Sequence, residues 1–237
     1  MLLPFALALA AAAAPVDLAT LTDGQSTHGF TVRALYLDDD DNPRGARFIH
    51  DDTGFTLDLL RIESAPQGFL WVNTFPTSDQ GEPHTQEHLL LGKGDRGRKM
   101  QSAEAMELAE SSAFTEQWRT CYHFNTVAGH DVFWPVFDGE LGALLHPDYS
   151  DEEIRREVRN FGVDKGDDGI LHLEEKGTVY NEMVRTYESA DVAAFRKLAQ
   201  LTYGTAHPLS YESGGTPDAI RTMTPADIRR FHDAAYH

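Results

Sequence analysis

The strongest constraint on the fold is a change of period near residue 80. Before it, the segments ARFIH (46–50), FTLDLLRI (55–62) and FLWVNTF (69–75) are short, rich in β-branched and aromatic residues, and separated by turn residues, so they read as successive strands. After it, PHTQEHLLLGKG (83–94) follows a helical repeat. At 3.6 residues per turn His84, Glu87 and His88 share one face, while Leu89, Leu90 and Leu91 reach a core. Pro83 suits the first turn, where its missing N–H would have had no partner.

The remaining chain keeps interleaving the two periods. A Gly- and charge-rich loop, GKGDRGRK (92–99), leads into a predicted helix at MQSAEAMELAESSA (100–113). Strand-like segments return at TCYHFNTV (120–127) and DVFWPVF (131–137), joined by Ala128, Gly129 and His130. Ser150 and Glu153 have capping-box spacing ahead of EIRREVRN (153–160). A hairpin turn DKGDDG (164–169) leads to ILHLEE (170–175), and TVYNEMVRTYESADVAAFRKLAQLTY (178–203) reads as one long helix. In the last segment, TPADIRRFHDAAYH (224–237), Thr224 can cap and Pro225 occupies the first turn. The expected class is α+β: a mixed, largely antiparallel sheet with helices packed on one face.

At 237 residues the chain can bury one sizeable core or two small ones. A net charge of -18 argues against nucleic acid, whose binders carry a basic patch or stripe. The acidic run LDDDDNPRG (37–45) reads as a solvated turn. Cys121 is the single cysteine, which excludes an intrachain disulfide and a cysteine-rich zinc site, so any metal must use histidine and carboxylate. The opening MLLPFALALAAAAAPVD is too short to anchor in a bilayer and has the length and small-residue ending of a signal peptide. Residues 1–14 are therefore expected to be an export signal, with a periplasmic or secreted protein and no membrane span, and residues 15–237 one domain.

Two imidazoles on one helical face can hold a single zinc ion, and the carboxylate beside them can take a proton from a metal-bound water. A third protein ligand is then required, and LEEKGTVYNEMVRTYES (173–189) offers Glu182, with Glu175 two helical turns before it if the helix extends that far. His123, His130, His207, His232 and His237 read as structural or exposed.

Taken in order, GEPHTQEHLLLGKG, KGTVYNEM, HPLSYESGGTPDAI and TPADIRRFHDAAYH resemble the zinc helix, third-ligand helix and following segments of the pitrilysin and insulysin family of inverted-motif zinc peptidases, in particular its presequence-protease branch. The resemblance runs from about Gly45 onward. It implies that His84, His88 and Glu182 bind one zinc ion and that Glu87 is the general base. It further implies that Glu175 is a carboxylate behind the ligands that orients a zinc-bound imidazole. Asn125, with Asp131 in NTVAGHD, keeps the spacing of a pair on the family's substrate-binding edge strand and its return, where a peptide adds to a sheet. Thr85 and Gln86 are more polar than the usual pair between the histidine and the glutamate.

The function implied is a zinc endopeptidase acting on short or unfolded peptides. Lyases of S-ribosylhomocysteine carry a similar His-Thr-x-Glu-His stretch, but they require two cysteines where this chain has one. The alternative is a non-catalytic or partner-dependent scaffold of a peptidase complex. Because the family encloses substrate between two halves, the resemblance also implies a missing C-terminal half, in the same chain or as a separate polypeptide.

Overall fold

The computed structural model describes residues 17–106 and 108–237. The expected export segment, residues 1–14, lies outside them. Two compact units divide between Ser64 and Ala65.

The first unit is an antiparallel sheet in the order β1 (Ser26–Thr27), β2 (Phe30–Leu37), β3 (Pro43–His50) and β4 (Thr56–Leu60). Leu21, Val32, Ala46 and Phe48 form its small core. The acidic run closes the β2–β3 turn: the Asp38 carboxylate accepts from the backbone N–H groups of Asp40 and Asn42 and pairs with Arg44 at 2.9 Å. Four consecutive acids are tolerated there because they face water, with Asp38 neutralised locally.

The second unit is built on a sheet ordered β5 (Gln67–Asn73), β7 (Arg119–Asn125), β6 (Glu110–Thr115), all antiparallel. Alternation sends Leu70, Val72, Ala113 and Tyr122 to one face. There they meet apolar residues of α1 (Glu82–Leu90), α4 (Asp151–Val158), α5 (Thr178–Thr186) and α8 (Pro225–Ala235). On the opposite face Phe69, Trp71 and Phe114 are exposed. The α+β class with helices on one sheet face is thus what forms, and every strand pairing among the described residues is antiparallel. No helix among the described residues is long and apolar enough to cross a membrane.

Three elements depart from expectation. DVFWPVF is not a strand but the start of α3 (His130–Leu145), with Pro135 inside it. Phe133, Val136, Glu140, Ala143 and Leu144 are its buried residues, a 3–4 spacing that only the longer window reveals. Helix α2 (Gly94–Ala105) begins within the expected loop, and the expected helix tail becomes β6, whose backbone finds a partner in β7. The long helix is two, α5 and α6 (Ala190–Tyr203): Glu188 and Ser189 N–H turn back to Arg185 and Thr186 carbonyls in tight i−3 bonds, and Ser189 restarts the chain with extended dihedrals. Between α4 and α5 the predicted hairpin forms as β8 (Phe161–Lys165) and β9 (Leu171–Glu175). The short α7 (Pro217–Ile220) precedes α8.

Candidate active site

Helix α1 starts at Gly81, whose φ of 77° and approach to the Gly214 carbonyl, 2.5 Å from where a Cβ would stand, both require glycine. This contact seats α1 against the 214–215 loop. Thr85, Gln86 and Leu89 are fully buried on its inner side. His84 and His88 are therefore turned toward the outer side, their rings 4.7 Å apart at 86°. On α5 the burial of Val179 and Met183 turns the neighbouring Glu182 outward, toward α1.

Glu182 closes on both histidines, Oε1 at 3.6 Å from His84 Nε2 and Oε2 at 3.4 Å from His88 Nε2. One ligand atom from each of the three residues lies within 4.8 Å of the others. Two ligands at ~2.0–2.1 Å from a tetrahedral zinc stand roughly 3.3 Å apart, so the spacing and the donor set both fit that ion. Glu87, 7% exposed, accepts from Thr115 Oγ1 at 2.5 Å.

Glu157 of α4 is a site residue that motif reading missed. Its side chain, 2% exposed, faces His88 Nδ1 through Oε2 at 3.3 Å and Lys93 Nζ through Oε1 at 3.0 Å. A hydrogen bond at Nδ1 makes that nitrogen the N–H and leaves Nε2 with its lone pair toward Glu182. The signal was present: Glu157 sits three residues after Ile154 and just before Val158, on the buried face of an amphipathic helix. Burial works to raise the Glu157 pKa, but His88 and Lys93 outweigh it and hold the carboxyl below its usual value. At His88 burial is likewise outweighed, by Glu157, Glu87 and Glu182, and the pKa rises. At His84 burial and the charge of His88 prevail and the pKa falls.

Glu175 is the last residue of β9, and Gly177 caps α5, so the two-turn helical relation to Glu182 does not form. Its carboxylate meets Arg221 at 2.9 Å, and Arg221 also lies over the Tyr180 ring of α5. Asn125 closes β7, the middle strand, paired on both sides with Gln67 and Glu110. The sheet edge beside the site is β6, whose last residue, Thr115, bonds Glu87.

No family model matches the chain. It is 28% identical to the mitochondrial presequence protease of Danio rerio over 91% of its length and 21% of that protein's. It is 29% identical to presequence protease 1, chloroplastic/mitochondrial, of Arabidopsis thaliana over 80% of its length and 18% of that protein's. An M16-like peptidase from Alicyclobacillus acidocaldarius shares the fold with a TM-score of 0.58 at 16% identity, over 90% of this chain and 45% of that one. The chain is similar to presequence proteases in sequence and to an M16-like peptidase in fold. It spans about a fifth of the length of these curated relatives. The comparison overturns the expectation of export: the two presequence proteases named above are mitochondrial or chloroplastic/mitochondrial proteins, not exported ones. An apolar run ending in small residues is a compositional signal only.

Proposed function

We propose that the chain carries the catalytic residues of a zinc-dependent endopeptidase that hydrolyses short or unfolded peptides. The observation that carries the reading is the convergence of His84, His88 and Glu182 on one point beside the buried carboxylate of Glu87. The two imidazole Nε2 atoms and the Glu182 carboxylate would hold the ion, which when bound polarises a peptide carbonyl and lowers the pKa of water to about 7. Glu87, with Oε2 tied to Thr115, presents Oε1 to accept a proton from the attacking water and return it to the leaving amine. Glu157 holds the His88 ring in orientation and tautomer. Glu175 supports the site from further out, since Arg221 links it to Tyr180 on the helix that carries Glu182. An extended peptide is assigned to the open edge of β6 rather than to Asn125, because β7 has no free backbone edge to offer.

The catalytic reading is preferred to a scaffold because all four residues are present and assembled. Metal analysis tests it: the wild-type chain should hold one zinc ion, and both His88→Ala and Glu182→Gln should lose it. Full retention of zinc by both variants would sink the assignment.

A further inference from the structure

We infer that three threonines at one end of the sheet position Glu87 through a contiguous row of hydroxyl groups, and that Thr120 is a positioning residue for the reaction. The inference rests on the reading above in which Glu87 accepts the proton. Thr115 ends β6, Thr120 stands opposite it in register on β7, and Thr74 follows β5, so three adjacent strands contribute one hydroxyl each. Thr115 Oγ1 lies 2.5 Å from Glu87 Oε2, Thr120 Oγ1 3.2 Å from Thr115 Oγ1, and Thr74 Oγ1 2.8 Å from Thr120 Oγ1. Thr74 and Thr120 are fully buried.

Donor arithmetic fixes the direction of the last link. A hydroxyl has one proton to donate, and an ionised carboxylate only accepts. Thr115 therefore commits its proton to Glu87 and can only accept from Thr120, which also meets the hydroxyls of Thr74 and Tyr236. Three hydroxyls in contact thus end on one oxygen of a buried carboxylate. β-Branching restricts each χ1, and the paired strands hold the backbone, so the row is stiff. Its consequence is an immobilised Oε2 and a presented Oε1. Packing alone does not call for these hydroxyls, since valine has nearly the same shape with no polar group to desolvate.

The test uses the protein loaded with zinc and an internally quenched peptide. Thr120→Val should lower kcat about tenfold with KM within about twofold, because one link of a charge-terminated chain is lost. Zinc content should stay near wild type, while the melting temperature falls by a few degrees in Thr120→Val, because the buried Thr74 hydroxyl loses this partner, and recovers in Thr120→Ser. Thr120→Ser, which restores the hydroxyl, should recover most of the loss. In a Glu87→Gln background Thr120→Val should cost nothing further. Wild-type turnover by Thr120→Val, equal losses in Thr120→Val and Thr120→Ser, or an undiminished loss in the Glu87→Gln background would each overturn the inference. Should Thr120→Val fail to fold, Thr74→Val decides on the same terms, with a loss of about threefold expected one link further out. An inactive Glu87→Gln beside a fully active Thr120→Val defeats this inference alone, whereas a fully active Glu87→Gln defeats the base assignment with it.

Discussion

At the scale of single residues, the site sets two buried carboxylates, Glu87 and Glu157, against half-buried histidines. Glu157 would be costly to bury alone, and it is balanced by Lys93 on one oxygen and by His88 on the other. Replacing it with glutamine keeps the shape but removes the charge behind His88. Glu157→Gln should lower zinc affinity by roughly ten- to a hundredfold, read by competition with a chromogenic chelator. An affinity within about twofold of wild type would show that His88 needs no anionic partner. Glu87 has the complementary expectation. Glu87→Gln should keep zinc at full stoichiometry and lose about a hundredfold or more in peptide turnover, because a neutral amide cannot take the proton. Near wild-type turnover would assign that proton to another group.

At the scale of elements, α3 carries a feature the site does not use. Glu140 is 7% exposed, and its pKa is pushed up to about 7, first by burial and then by the nearby charge of Glu104 on α2. A carboxyl that starts at 4.5 when unfolded and reaches about 7 when folded binds its proton more tightly in the native state. Its contribution is present below about pH 4.5 and is lost as pH rises through about 7. The loss is on the order of 2–3 kcal/mol, an upper figure because the group retains some contact with water. Glu140→Gln should flatten stability between pH 5 and 8 and raise the melting temperature at pH 8, measured by denaturation at each pH. An unchanged slope would place the titrating group elsewhere. The same helix shows why DVFWPVF misleads: seven residues of aromatic and β-branched character favour a strand, and only the following GELGALL extends the 3–4 spacing.

At the scale of the molecule, the chain spans about a fifth of its curated relatives, so the enclosure of substrate is a property to test. Water exclusion and fixed orientation are what make a metal-activated water effective, and both need walls on more than one side. Residues 15–237 alone should bind zinc yet cleave unstructured peptides at least about tenfold more slowly than a protein extended to the relatives' length, assayed at equal zinc concentration. Equal turnover would make this stretch self-sufficient.

The sequence by itself determined the local matters. The His84–Glu87–His88 face, the capping box at Ser150, the cap at Thr224, the β8–β9 hairpin and the α+β class all follow from spacing within a few residues. Glu182 is the third ligand that the resemblance implies, and the fold brings its carboxylate within 3.6 Å of both histidines. Tertiary structure alone decided that Glu157 stands behind His88, that Glu175 meets Arg221, and that β6 rather than β7 offers the edge beside Glu87. Each of these joins elements far apart in the chain. Local propensity carries no term for such a pairing, and it arises only when strand order and helix packing choose which buried charges and backbone edges meet.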